Sequence, residues 1–432
     1  MIHFLLPRTQ PNIYKNIEYI SDNEKKEPVI SNSLYFYLFD IKNKIDIYEK
    51  EWNIYKKYTN PYEFIHTNIP MKKKCISKFK PLSRSYFKMI EIIHFFQLNM
   101  NSTLPIKTFH LAEGPGGFIE AVVSLRNRKD DTYIGMTLID KDNNSNIPGW
   151  KKSDIFLNEN PNVYIENGMD GTGNILSLEN FVDVCKIYGS SMDLITADGG
   201  FDFSLDFDNQ EFNMTKLLYG QVIYALCMQN RGGCFILKVF DCFMQQTIDI
   251  LAILSSFYEH VYITKPQTSR YANSEKYVVC KGFLQTTNHH FYPFLYNSFS
   301  LMLLRENNYT SRFLNIPISY FFISKLEEYN AIFGQQQIEY IHTTISLIEN
   351  KYKDFKIENL MKINIQKCIQ WCIKYQIPYN NSIIVSTNTF LNSASMPNIA
   401  GYRDSFGLHK AIPILTTHRF NDVGILDSVN QI

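Results

Sequence analysis

Lys107–Val123 reads KTFHLAEGPGGFIEAVV. A β-prone apolar stretch runs into Glu-Gly-Pro-Gly-Gly, and an amphipathic helical pattern follows at once. Strand, glycine-rich turn and helix in succession are the opening unit of a wound α/β sheet, in which ligands bind at strand carboxyl ends. The alternation continues downstream. Strand patterns recur at Thr108–Ala112, Tyr133–Leu138, Val163–Glu166, Asp193–Ala197, Gly233–Val239, Val261–Thr264 and Lys276–Lys281. Helical patterns such as Met214–Met228 and Met244–Phe257 separate most of them. This predicts a mostly parallel, seven-stranded sheet covered on both faces. The last two strands are joined only by a loop, so they are expected to form an antiparallel hairpin at one edge.

Around this block the chain changes character. Residues 1–75 mix Tyr, Asn, Lys and Pro with weak periodicity and read as a partly helical N-terminal extension. The run SRSYFKMIEIIHFF predicts a helix from about Ser83 to Leu98. Residues 76–290 form the expected main domain, 291–380 a helical region, and 381–432 a tail rich in Ser, Asn, Thr and Pro. Within Leu326–Tyr352, Ile338, Ile341, Ile345 and Ile348 recur at helical steps. The repeat is too short for a coiled coil, so this helix is expected to pack on the main domain.

Composition excludes several classes. Lys+Arg, at 43, nearly cancels Asp+Glu, at 42, so any polyanion site must be a local patch. The eight cysteines contain no CxxC pair, and Cys368 and Cys372, one helical turn apart, lack a second ligand pair at zinc spacing. Reduced core thiols and a cytoplasmic location are expected. The apolar run in MIHFLLPRTQ is too short for a secretory signal, and no stretch approaches the roughly 18 apolar residues of a membrane span. Neither a membrane nor a metal partner is expected.

Several ligands suit a glycine-rich corner. A P-loop ends in Gly-Lys-Ser/Thr, whereas Phe118 and Ile119 stand there. Gly114-Pro115-Gly116-Gly117 misses the G-x-G-x-x-G spacing, and Pro115 removes an amide donor. An S-adenosylmethionine pocket needs close backbone approach but no dense amide cradle, and Glu113 would suit the ammonium group of such a ligand. A plain structural turn remains open on the glycines alone. Four further residues narrow the choice. Asp198 ends a strand in DLITADGG, Lys238 ends another in GGCFILKVFD, Lys88 lies on the preceding helix, and Glu275 opens the last strand. Each singly suggests a structural ion pair; together at strand tips they suggest a shared site with perturbed protonation.

LAEGPGGFIEAV, GMTLI, MDGTGNI, ITADGGFDF, GGCFILKVFD and KPQTSRYANSEKYVVCKGF occur in this order over Pro81–Phe283. In that order they resemble the FtsJ-like ribose 2′-O-methyltransferases, and among these the cap-specific messenger RNA enzymes of eukaryotes and large cytoplasmic DNA viruses. The resemblance implies a Rossmann-like S-adenosylmethionine-dependent methyltransferase fold and a Lys-Asp-Lys-Glu tetrad at Lys88, Asp198, Lys238 and Glu275. It implies a cofactor pocket of Glu113, Gly114, Pro115, Gly116, Gly117, Phe118, Asp170, Asn174, Ile175 and Asp198. Where those cap enzymes carry an acidic residue, this chain has Asn174, which keeps a carbonyl acceptor for the adenine amino group without carboxylate charge. Weakened donor affinity is expected. A viral origin, with the host cytoplasm and virion as locations, is inferred from the AT-rich residue usage.

The implied reaction is transfer of a methyl group to a ribose 2′-hydroxyl. A free lysine, with pKa about 10.4, is a poor base at neutral pH, and a neighbouring ammonium disfavours its charged form. Lys238 is therefore assigned as general base, Lys88 as its electrostatic tuner, and Asp198 and Glu275 as orienting acids. For RNA, the basic run containing Lys78 and Lys80, together with Arg84, Arg270, Asn209 and Phe201 after Asp198, supplies candidate contacts. Of the rings Phe201, Phe203 and Phe207 in this loop, at least two are expected to pack in the core. Expected partners are RNA, above all capped messenger RNA, and capping or transcription machinery or virion components. Ribosomal RNA methylation, or a catalytically weakened RNA- or virion-binding protein on this fold, are the alternatives.

Overall fold

In the computed structural model, residues 1–25, 27–70, 72–98, 102–139, 149–200, 210–305, 308–350 and 354–381 are described. The chain begins with β1 (His3–Leu5) and β2 (Ile17–Asp22), then α1 (Asn32–Ile47), α2 (Glu49–Thr59) and α3 (Ser85–Phe96). The wound core follows as β3 (Lys107–Leu111), α4 (Gly117–Arg126), β4 (Thr132–Met136), α5 (Asp154–Glu159), β5 (Val163–Glu166), α6 (Leu178–Tyr188) and β6 (Met192–Ala197). It continues through α7 (Gln210–Met228), β7 (Gln229–Val239), α8 (Gln245–Phe257), β8 (Tyr258–Thr264) and β9 (Lys276–Phe283). The last elements are α9 (Tyr292–Leu304), β10 (Tyr309–Leu314), α10 (Tyr320–Glu349) and α11 (Asp354–Lys374).

Eight strands form the main sheet in the order β1-β8-β9-β7-β6-β3-β4-β5. The expected seven are all present. The eighth, β1, comes from the N-terminal segment and pairs antiparallel with β8, so the β8–β9 hairpin is covered instead of forming the bare edge. From β3 the chain winds outward to β4 and β5, then returns to lay β6 on the other side of β3. Strand order therefore reverses between β3 and β6, the point at whose carboxyl side wound sheets bind ligands. β9 runs antiparallel to β7, with Lys238 opposite Tyr277 and Val239 opposite Lys276. The start of β9 thus lies beside the ends of the parallel strands. This places Glu275 with residues that leave β6 and β7.

Alternation along the central strands buries both faces of the sheet. Phe235 and Leu237 of β7 pack with Phe109, Leu111 and Ile195 on one side. Ile236 packs with Leu194, Val279 and Tyr133 on the other. Continuous apolar runs are what a doubly covered parallel sheet requires. Ile338, Ile341 and Ile345 of α10 meet Leu38 and Ile41 of α1, so the isoleucine stripe packs within the fold. A second, two-stranded sheet, β10 with β2, was not foreseen. Cys368 and Cys372 are fully buried in the core beside Trp371, whose ring meets Phe87 at 5.7 Å. Among the described residues no group could hold a metal ion, and no helix is long and apolar enough to cross a membrane.

Candidate active site

Lys88, Asp198, Lys238 and Glu275 meet at the carboxyl end of the sheet in two ion pairs. Lys88 Nζ lies 2.7 Å from Glu275 Oε1 and 2.8 Å from Oε2. Lys238 Nζ lies 3.4 Å from Asp198 Oδ1 and donates to the Asp198 backbone carbonyl at 2.6 Å. Tyr277 joins the pairs: its hydroxyl donates to Asp198 Oδ1 at 2.9 Å and stands 3.5 Å from Lys88 Nζ. This residue escaped the sequence reading. Its signal was the period of two along a strand, which puts Tyr277 on the same face as Glu275.

Burial sets the electrostatics. It pushes the Lys88 ammonium down, with Glu275 opposing and Arg84 reinforcing the effect. Burial alone would raise Glu275, but the cations Lys88, Arg84 and Lys238 hold its carboxyl well below the usual range. Tyr277 is pushed up by burial and then by the Asp198 and Glu275 carboxylates, so its hydroxyl keeps its proton and donates. Lys238 is the more accessible amine, with 13% of its side chain exposed against 4% for Lys88. A Cβ on Gly200 would stand 3.1 Å from Lys238 Nζ, so the glycine leaves that amine room.

The loop from Lys265 to Glu275 is braced from many directions. The buried Lys265 ammonium donates to Asn273 O and Glu275 O at 2.7 Å each and to Asn273 Oδ1 at 2.9 Å. Ser269 Oγ donates to Glu275 Oε1 at 2.8 Å. Glu91 of α3 accepts the amides of Gln267 and Thr268 at 2.7 and 2.8 Å. Asn60 accepts the Tyr271 amide at 3.1 Å, and Gln337 of α10 donates to Ala272 O at 3.2 Å. Arg270, expected to face RNA, instead forks onto buried Glu63 at 2.9 and 2.6 Å. Burial would raise Glu63, but Arg270 outweighs it and holds the carboxyl at about 2.

The glycine corner is tightly built. Glu113 Oε1 accepts the amides of Phe118 and Ile119 at 2.7 and 2.9 Å, capping the start of α4. Among the described residues its Oε2 is buried with no partner. Burial pushes this carboxyl up to about 8, the two amides opposing and Asp198 adding to the rise. A Cβ on Gly114 would meet Gly149 O at 2.6 Å, and one on Gly117 would strike the Ser83 and Ser85 hydroxyls. These two glycines therefore admit protein neighbours. Gly116, at φ +109, needs glycine for its backbone alone. Pro115 O accepts the Ser153 hydroxyl at 2.6 Å, and the Phe118 ring faces the core, 5.8 Å from Tyr277.

The second cofactor segment is an interlocked turn. Asp170 Oδ1 accepts the Thr172 amide and hydroxyl and the Asn180 amide, at 2.8, 2.6 and 2.9 Å. These bonds outweigh burial and hold Asp170 at about 2. Asn174 Oδ1 accepts the Leu176 amide at 2.9 Å, so one lone pair of the expected adenine acceptor is already engaged. Ile175 is buried beneath. An unpartnered buried carboxyl oxygen at Glu113 and a half-buried Asn174 amide fit a ligand with a cationic end and a purine end. S-Adenosylmethionine is such a ligand.

Of the RNA candidates, Lys78 and Lys80 are exposed and Arg84 is half-buried beside the Lys88–Glu275 pair. Phe201 and Asn209, with Phe203 and Phe207, lie outside the described residues. Lys56 was missed, because its sequence neighbours in α2 show only a solvated charge pattern. It is half-buried, and burial followed by Arg270 pushes it down to about 8.

Residues 81–283 match the family of FtsJ-like methyltransferases. The chain is 43% identical over 119 residues to cap-specific mRNA (nucleoside-2′-O-)-methyltransferase 1 of Trypanosoma brucei brucei, covering 27% of this chain and 32% of that protein. It is 36% identical over 179 residues to the Trypanosoma cruzi protein of the same name, 40% of this chain and 47% of that one. Cap-specific mRNA (nucleoside-2′-O-)-methyltransferase 2 of Pongo abelii is 29% identical over 378 residues, 82% of this chain and 47% of that protein. The matches thus span half or less of the length of these curated relatives. Family match, strand order and the paired lysines and acids agree on one statement: residues 81–283 form an FtsJ-like methyltransferase domain.

Proposed function

We propose that the chain is an S-adenosylmethionine-dependent RNA ribose 2′-O-methyltransferase that acts on the capped 5′ end of messenger RNA. The observation that carries this reading is the Lys238–Asp198 and Lys88–Glu275 pairs, joined by Tyr277, at the carboxyl end of the sheet. The named activities of the relatives support the cap as target. The eight free cysteines suit a reducing compartment such as the cytoplasm.

S-Adenosylmethionine supplies an electrophilic sulfonium methyl group. The chain must hold the 2′-hydroxyl and take its proton. Lys238 is the base, because its amine is the more open one and Gly200 leaves space beside it. Asp198 orients that amine and is itself fixed by the Tyr277 hydroxyl. Lys88, bound to both Glu275 oxygens, fixes that carboxylate and brings a second amine to the site. Glu113 and the Asp170–Ile175 turn hold the donor.

The test is radiolabelled methyl transfer to capped and uncapped oligonucleotides, with wild type beside Lys238→Ala. Transfer to capped RNA that Lys238→Ala abolishes is expected. Equal transfer to both RNAs would redirect the assignment to another RNA. No transfer from wild type, with donor bound, would leave an RNA-binding protein on this fold.

A further inference from the structure

We propose that Arg84, together with Lys56, holds a backbone phosphate next to the ribose that is methylated, one helical turn from Lys88. The inference rests on the RNA reading above and adds where the substrate's charge is anchored. Arg84 immediately precedes α3 and stands four residues before Lys88, so both side chains project from one face of that helix. Their separation along the axis is about 6 Å. Lys88 is committed to Glu275 and Tyr277. Arg84 is half-buried, and among the described residues its guanidinium has no hydrogen-bond or ion-pair partner. Taking a guanidinium partly out of water without an acceptor is costly, so the position suits an anion that arrives from outside.

The surroundings favour that anion. The charges acting on Lys56 are Arg270, Glu63, Arg84 and Lys57, and the single carboxylate among them is already forked by Arg270. Lys56 Nζ is held at 2.6 Å by the neutral side-chain oxygen of Asn53. Among the described residues, neither Arg84 nor Lys56 has a carboxylate within ion-pair distance, whereas the inner lysines are paired. The amino end of α3 adds a partial positive charge there. A ribose in RNA is flanked by phosphates. A planar, forked donor one turn from the lysine pair meets one of them and fixes the register of the strand without reading its sequence.

The experiment uses capped oligonucleotides with a single uncharged methylphosphonate at each linkage near the target ribose, measured by anisotropy and by methyl transfer. In wild type, one linkage should cost about tenfold in affinity, the size of a lost charge-assisted contact. In Arg84→Gln the same linkage should cost less than about twofold, and in Lys56→Gln an intermediate amount. The slope of log affinity against log salt should fall by about 0.7 in Arg84→Gln, the value of one single-strand phosphate contact. Arg84 makes no side-chain cap to α3, and Arg84→Lys, which keeps the charge, should retain part of the penalty. An unchanged linkage penalty and salt slope in Arg84→Gln would overturn the subsite even if methyl transfer proceeds. The coupling without any wild-type methyl transfer would keep the subsite and overturn the enzymatic reading. A wild type that binds no RNA overturns both.

Discussion

Glu113→Gln should make the protein progressively more stable than wild type as pH rises. The carboxyl is buried, one oxygen caps α4 and the other has no partner among the described residues. Its folded pKa of about 8 lies above the ordinary 4.5. Because the folded value is raised, the stabilising share of this group is complete below about pH 4.5 and is lost as pH climbs through about 8. Integrating between pH 5 and 8 with these values gives a loss of about 3.5 kcal/mol. Glutamine still accepts the Phe118 and Ile119 amides but carries no proton to lose, so the variant escapes the loss. At an unfolding entropy of about 2.1 cal/mol/K per residue, the gap corresponds to about 4 °C in Tm for a fold this size. Thermal and denaturant unfolding of both proteins at pH 5, 6, 7 and 8 would measure it. Curves that stay parallel across that range would refute the assignment of a proton to Glu113, and with it the idea that a neutral carboxyl waits beside the donor site. A cationic ligand should also release that proton on binding, visible in calorimetry as a buffer-dependent heat absent from Glu113→Gln.

Lys238→Ala should abolish methyl transfer with donor affinity changed less than about threefold. Lys238→Arg should fail as well, since guanidinium stays charged at neutral pH; turnover by either variant above a hundredth of wild type counts against the base. Asn174→Asp keeps the cap on the Leu176 amide and adds charge, so donor binding should tighten by about fivefold, or about 1 kcal/mol, in calorimetry. Arg270→Ala leaves buried Glu63 without its fork and should cost about 3–5 kcal/mol. Glu63 is depressed to about 2, so wild type should lose that stabilisation as pH falls from about 4.5 to 2, while Arg270→Ala should show a flatter acid limb. Tyr277→Phe should lower kcat more than either KM, because it frees Asp198 without touching an outer surface; equal loss in both would mark a packing role.

Much of the core and of the tetrad was legible from Lys107 onward, because strands buried on both faces write continuous apolar runs. Asp198 and Lys238 close such runs and Glu275 opens one; each singly read as a structural ion pair, and only the four together, with the family resemblance, marked a shared site. Tyr277 was hidden by its aromatic ring, which reads as core from residue type alone, although its hydroxyl is the link between the pairs. β1 and β10 were missed because three and six residues at a sheet edge carry no clear period. Arg270 looked like a free cation since its partner, Glu63, lies more than two hundred positions away and no local pattern joins them. Lys56 failed for the opposite reason: half-burial against Arg270 is a tertiary event within an ordinary charged helix. The glycines were read for the ligand they might admit, whereas Gly114 and Gly117 first make room for Gly149 and for two serines.

All four tetrad residues precede position 276 in the chain, yet the outer side of the loop that delivers Glu275 leans on Gln337 of α10. A nascent polypeptide halted before that helix would possess all four residues of the proposed site and lack a brace for one of them. On the proposed reading, competence to turn over would arrive with the helical region and not with those four residues. Ribosome-released fragments ending near residue 290 should accordingly bind donor better than they turn it over.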